Sequence, residues 1–474
     1  MTTECNGRTL VFQTKNSRDI TARFDGGPVS SDGGGVLLGQ VEQHARIISR
    51  FTACFTDHRD ADLIEHTVED LVAQRVYGLC LGYEDLNDHD DLRHDPLLAA
   101  LVGKKDPTGS DRGRDRDKGK ALAGKSTLNR LELTPVRAGK NSRYKKITVN
   151  RRAVDAFFTE VFLESDEAAS DVLILDLDAT DDIIHGNQAG RFFHGYYNNY
   201  CYLPLYIFCG DHLLCSRLRP SDIDGSAGSI KELDRIVKQI RQRRPEVQII
   251  IRADSGFCRE DIMLWCEATN VDFVLGLARN NRLKKEITEE LAQAKDLFDQ
   301  TGRASRVFKD FDYQTLKSWS RTRRVVGKAE YLSQGENPRF VVTSLSAEAY
   351  EMRALYEDLY CARGDMENRI KEQQLWLFAA RTSAATMRAN QLRLWFSSVA
   401  YTLMIALKTK GLKGTKLANA QCNTIRLKLL KVGARVKVTV RRIWVSLSQS
   451  CPYQHIFEQA YDNLAALRSV RLQC

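Results

Sequence analysis

A chain of 474 residues exceeds what one compact core normally holds, so two to four domains are expected. Hydrophobic residues make up 43% and charged residues 28%, a globular balance that excludes wholesale disorder. The net charge of +9 is unevenly spread: residues 373–457 hold fourteen Lys and Arg and no Asp or Glu, which leaves −5 for the rest, and a polyanion is the natural partner of such a field.

In chain order, the first 30 residues read as short strands with a turn at Asp25-Gly26-Gly27-Pro28, and Ser31-Asp32 with three glycines opens an apolar helix from Val36. Helical periodicity continues through Asp60–Leu81 and Asp91–Val102, and residues 104–120 form a loop of mixed charge. Ser126-Thr127-Leu128-Asn129-Arg130-Leu131-Glu132 reads as a capped helix start, with a base-reading helix as the alternative. From residue 171 the pattern changes. Strands are predicted at Val172–Leu177, Tyr200–Cys209 and Leu213–Leu218, then a helix over Ser229–Arg243 that ends before Pro245. A strand at Val247–Ala253, a helix over Asp261–Ala268 and a strand at Val271–Leu277 follow. Three strands, helix, strand, helix, strand is the order of a ribonuclease-H-like core, a mixed sheet flanked by helices. Residues 285–345 read as mostly β, with strands at Ser305–Tyr313, Ser320–Glu330 and Arg339–Leu345, and long helices resume from Ala347 to about Thr409. The β-rich stretch thus reads as an insertion into the core.

Some chemistries find no support. The twelve cysteines form no CxxC pair and no Cys/His ladder with zinc spacing; with no secretory leader, they read as reduced thiols of a cytoplasmic protein. The longest apolar run, residues 395–407, contains two serines and a threonine and falls short of the ~20 residues that span a bilayer.

Three acidic positions stand out. On the strand DVLILDLDAT (171–180), Asp176 and Asp178 share one face. Asp254 ends the apolar run of VQIIIRADSGF (247–257), where it either caps the next helix or binds a ligand. In YCARGDMENRIKEQQ (360–374), steps of three and four put Tyr360, Arg363, Glu367, Ile370, Lys371 and Gln374 along one helical stripe. Two strand-borne carboxylates and one helix-borne carboxylate are what two-metal phosphoryl transfer requires, with two ions about 4 Å apart. Oxygen-only ligands select Mg²⁺ or Mn²⁺.

Taken together, these segments resemble the DDE transposases of bacterial insertion sequences, in particular the group with a Tyr-x2-Arg-x3-Glu-x6-Lys signature behind a β-rich insertion. The resemblance covers most of the chain, including TARFDGGPVSSDGGGVLL (21–38), LGYEDLNDHDDLRHDP (81–96), STLNRLE (126–132), LDLDATDDIIHGNQ (175–188) and GYYNNYCYLPLYIF (195–208). It continues through IRADSGF (251–257), NPRFVVTSL (337–345), the Tyr360 segment and KVGARVKVTVRRIWVSL (431–447). It implies a ribonuclease-H-like core with Asp178, Asp254 and Glu367 as the catalytic, metal-binding triad. Asp178 is preferred over Asp176, which stands as the fallback, because Thr180 stands two positions after Asp178, as the family pattern has it. The signature's last position is Gln374 rather than Lys, and Lys371, one turn earlier, is expected to supply that charge.

The implied organisation is an N-terminal DNA-binding and dimerisation region (1–150), a catalytic core in two parts (151–284 and 346–410), the β-rich insertion (285–345) and a basic C-terminal region (411–474). The implied function is binding of terminal inverted repeats, cleavage of the ends and their joining to target DNA. Tyr360, Arg363 and Lys371 would lie beside the phosphate, and Lys431, Arg435, Lys437, Arg441 and Arg442 would grip duplex backbone. A homodimer on DNA, a place at the bacterial nucleoid and no membrane contact complete the expectation. A ribonuclease-H-like nuclease without strand transfer and a non-catalytic DNA-binding derivative are the alternatives.

Overall fold

The computed structural model describes residues 8–13 and 18–471. The chain divides into two compact units. One holds residues 1–149, 376–378 and 399–474, and the other residues 150–375 and 379–398.

The second unit is built on a nine-stranded sheet. Its strands are β1 (Val172–Ala179), β2 (Leu205–Cys209), β3 (His212–Arg217), β4 (Gln248–Ala253), β5 (Asp272–Leu277), β6 (Ser305–Tyr313), β7 (Arg323–Leu332), β8 (Gly335–Glu336) and β9 (Arg339–Thr343). The order across the sheet is β3-β2-β1-β4-β5-β9-β7-β6, with β8 paired to β7. β1 runs antiparallel to β2 and parallel to β4, β4 is parallel to β5, and β9 returns antiparallel beside β5. The strands of the β-rich segment therefore extend the same sheet. That segment also contains a helix at Thr288–Thr301, where Leu291 and Ala294 are buried among Glu, Ala, Gln and Lys, which favour helix.

Alternation along the central strands gives the sheet two faces. Leu173, Leu175 and Leu177 of β1 and Ile249 and Ile251 of β4 pack on one side with Leu233 and Ile236 of α1 (Ser229–Arg243) and Ile262 and Met263 of α2 (Glu260–Ala268). Ile174, Ile250 and Val274 point to the opposite side, beneath Leu355 and Tyr356. By the same period of two, Asp176, Asp178 and Arg252 belong to this second face. The helical run over it begins at Met352, passes through π-helical turns at Leu355–Tyr360 and Glu372–Trp376, and contains α3 (Gly364–Lys371) between them.

The expected strand Tyr200–Cys209 is two strands, Asn199–Tyr202 and β2. Pro204, which has no N–H to donate to a ladder, falls between them. Asn199–Tyr202 turns away to pair with Asp182–Ile183 and Phe192–His194 in a separate three-stranded sheet.

In the other unit, the predicted helix of Asp60–Leu81 is Val68–Leu81, closed at its start by a capping box of Thr67 and Asp70. The stretch Asp91–Val102 is broken into His89–Leu92 and Pro96–Val102, with Pro96 at the first helical position behind an Asp95 cap. The STLNRLE helix spans Lys125–Glu132 and has no side-chain cap. It is held instead by buried Leu128 and Leu131 and by the Arg75–Glu132 ion pair. The start and end of the chain meet in this unit: Val29–Ser30 pairs with Ala434–Arg435 of a hairpin whose second strand is Ile443–Leu447. Gly34 lies so close to Leu429 that a Cβ there would stand 1.7 Å from its carbonyl oxygen. No helix among the described residues is long and apolar enough to cross a membrane.

Candidate active site

At the C-terminal ends of β1 and β4, under α3, lies a cavity of about 450 Å³. Asp178, Thr180, Asp254, Arg363, Glu367, Lys371 and Gln374 line it, with Tyr196 and Tyr197 at one side. Strand ends in α/β sheets are where such clefts form. The stripe inferred from steps of three and four holds from Arg363 to Gln374.

The two aspartates of β1 have different surroundings. Asp176 is 1% exposed and takes both nitrogens of a bidentate contact from Arg252 on β4, at 2.5 and 2.8 Å. Arg252 also donates to the Leu359 carbonyl. Asp176 is thus one half of a buried ion pair and does not line the cavity. Asp178 does. Burial and then the nearby Asp254 charge push its carboxyl up to about 7, against the pull of Arg363 and the Ala179 N–H. Asp254 takes the capping role: its Oδ1 accepts from the Gly256 N–H at 2.9 Å at the start of the turn Ser255–Phe257, and the residue also lines the cavity.

Arg363 sits amid the acids, 3.9 Å from Asp178 and 3.2 Å from Glu367. Burial works to lower its pKa, yet Asp178, Tyr360, Asp254 and Glu367 raise it further. Tyr360 lies just outside the cavity. Burial raises its hydroxyl pKa, and that hydroxyl rests where a Cβ on Gly276 would stand, 2.5 Å away. Gly276 was not singled out in the sequence, although a glycine inside a strand signals close approach of another group. Lys371 is exposed. Gln374 is committed elsewhere: its amide donates to the Asp181 carbonyl at 3.1 Å and to Asp182 Oδ1 at 3.0 Å. Asp182 is fully buried, and burial pushes its carboxyl up to about 7.

Among the described residues, no three His, Cys, Asp or Glu side chains stand close enough to hold a metal ion between them. The donor set nonetheless fits a hard divalent cation. The cavity offers carboxylates and no thiol or imidazole, and a cation would favour the charged form of Asp178 that burial, and then the Asp254 charge, disfavour.

Of the basic residues, Arg435, Lys437, Arg441 and Arg442 are exposed on the hairpin 434–447 in the other unit. Lys431 is not free in the same way. Its ammonium pairs with the buried Asp32 at 2.7 Å and lies 4.2 Å from the Tyr83 ring centre.

The fold and site together are a mixed α/β sheet with Asp178, Asp254 and Glu367 lining one cavity at its strand ends. Compared with protein families, residues 12–469 match the transposase DDE domain, group 1. The chain belongs to this family of transposition enzymes, whose members generally use divalent metals. No curated protein matches its sequence.

Proposed function

We propose that this transposase binds the terminal inverted repeats of its element, cleaves the DNA ends and joins them to target DNA. The observation that carries the reading is the convergence of Asp178, Asp254 and Glu367 on one cavity. The strand order supports a ribonuclease-H-like core: an antiparallel trio β3-β2-β1 continued by parallel β4 and β5. Asp178, Asp254 and Glu367 would hold divalent cations, which when bound activate the attacking oxygen and stabilise the leaving one. Arg363, now on Asp178 and Glu367, is placed to take a phosphate oxygen, and Tyr360 steadies the same end of the helix. Lys371 reaches the cavity from the exposed side. The exposed Arg435, Lys437, Arg441 and Arg442 of the hairpin bind duplex backbone, and pairing two ends calls for a homodimer on DNA.

The test uses duplexes from the borders of the gene, labelled at the ends, with Mg²⁺ or Mn²⁺. Cleaved and joined products are expected. Asp178→Asn, Asp254→Asn and Glu367→Gln should bind these ends and yield neither. Cleavage without joining would make the chain a nuclease instead, and activity in all three variants would remove the triad.

A further inference from the structure

The basic hairpin 434–447 carries a feature that phosphate contacts alone do not explain. Its base is held: Ala434 and Val436 are buried, and Ala434–Arg435 pairs with Val29–Ser30. Its outer end stands in water. The ladder runs from Ala434 opposite Leu447 to Val438 opposite Ile443, and Thr439-Val440-Arg441-Arg442 closes the turn beyond it. Thr439 fixes that turn twice: its N–H donates to the Arg442 carbonyl at 2.9 Å, and its hydroxyl accepts from the Arg442 N–H at 3.1 Å. Val440, at the apex, is wholly exposed, and Ile443 and Trp444 just below it are 40% and 54% exposed. Hairpin turns favour Gly, Asn, Asp, Ser or Pro, whose backbones or side chains suit the bend. Val suits a pleated, half-buried surface instead. A β-branched aliphatic side chain held in water at a fixed apex serves neither the turn nor the core.

What covers this apex must be anionic and must also offer apolar surface. Arg435, Lys437, Arg441 and Arg442 are the only charged residues of the hairpin, and the Arg442 guanidinium lies 5.8 Å from the Trp444 ring centre. Four cations without an acid would repel the same hairpin on a second copy. Duplex DNA meets both demands, with phosphates along its grooves and apolar base faces between its steps. The minor groove is the better fit of the two. Where it is narrow its negative potential draws arginine, and Arg441 and Arg442 directly follow Val440. Aliphatic side chains also enter base steps from this groove, unstacking them and kinking the duplex. We propose that the hairpin enters the minor groove and that Val440 wedges into one base step, so that the protein bends the DNA it binds. This rests on the transposase reading and adds to it a bending activity carried by residues that do not line the acidic cavity.

The probe is a duplex of about 30 bp with donor and acceptor dyes at its ends and one central TA step, which kinks readily. The full-length parent should raise energy transfer between the ends, as a kink of roughly 20–90° draws them together, and should make the thymines of the step reactive to permanganate. Val440→Ala should lose both effects while keeping the parent's slope of log K against log salt, because it removes no charge. Val440→Ile should retain both effects. Replacing the adenines of the step by 2,6-diaminopurine puts an amino group in the minor groove and leaves the major-groove edge unchanged, so the parent should bend that duplex less. No bend by the parent, an equal bend by Val440→Ala, or a bend indifferent to the added amino group overturns the wedge. A fall in oligomeric mass of Val440→Ala by light scattering, with the bend unchanged, overturns it in favour of a contact between copies. Binding without bending strikes the wedge alone, whereas absence of binding to any duplex counts against the functional reading itself.

Discussion

Two aspartates two residues apart on one strand face the same side of the sheet and do different work. Asp176 opposes Arg252 in a buried, bidentate pair, and removing one member leaves an unpaired charge in the interior. Asp176→Asn should therefore destabilise the protein by about 3–5 kcal/mol in urea unfolding. Asp178→Asn should abolish cleavage with little loss of stability, because the carboxyl it replaces is already strained by burial and by Asp254. Equal stability losses in the two would remove the distinction. Lys371 and Gln374 separate in the same manner. Lys371→Ala, at an exposed position, should leave unfolding unchanged and slow single-turnover cleavage about tenfold, the loss of one charged hydrogen bond. Gln374→Ala strips Asp182 of its amide donor and should cost about 1–3 kcal/mol of stability. The sequence pattern placed both residues on the stripe. It could not reveal that Gln374 is tied to Asp182, since that partner lies far away in the chain. Burial also sets a pH limit. His89 is fully buried against Gln74 and Arg75, and burial, then the Arg75 charge, lowers its pKa to about 3. The unfolded chain binds that proton from about pH 6.5 downward while the folded chain refuses it. Stability should be level above about pH 6.5 and fall toward pH 3, by about 2 kcal/mol at pH 5 from this group alone. Thermal unfolding of His89→Gln, compared with the parent at pH 7 and pH 5, should show a shallower loss.

At the level of elements, the basic hairpin 434–447 makes a separable prediction. Replacing Arg435, Lys437, Arg441 and Arg442 by Ala should weaken all duplexes alike. The slope of log K against log salt should drop by about 0.9 for each phosphate no longer neutralised. Lys431→Ala should leave the slope nearly unchanged and lower the melting temperature instead, because its charge neutralises buried Asp32. An unchanged slope in the fourfold variant would take the hairpin off the DNA. Most elements were legible because local patterns dictated them. The helix Ser229–Arg243 begins and ends as its periodicity requires, and β1, β4 and β5 follow their apolar runs to within a few residues. What local pattern could not supply was pairing. That β9 would lie against β5, or that Asn199–Tyr202 would leave the main sheet for a flap, depends on partners distant in sequence.

Over the whole molecule, the unit that carries the basic hairpin is assembled from both ends of the chain. Composition signalled the basic surface but not its union with the first 149 residues. The Gly33 N–H donates to the Val432 carbonyl at 2.8 Å, and the buried Arg426 guanidinium donates to the Cys80 and Leu79 carbonyls at 2.8 and 3.0 Å. A fragment of residues 1–149 loses all of these partners. Expressed alone it should lack a cooperative thermal transition by circular dichroism, and co-expression with residues 399–474 should restore one. A cooperative melt of the short fragment alone would mean that the C-terminal segment is an accessory.

The pairing of Val29–Ser30 with Ala434–Arg435 also sets a clock. The two partners are separated by about four hundred residues, which a ribosome adds in roughly 20–80 s at 5–20 residues per second. During that time the early strand waits for its partner, while every strand of the nine-stranded sheet and the helix bearing Glu367 emerge. Each newly made molecule therefore has the elements of its cleft before it has the hairpin that closes the other unit.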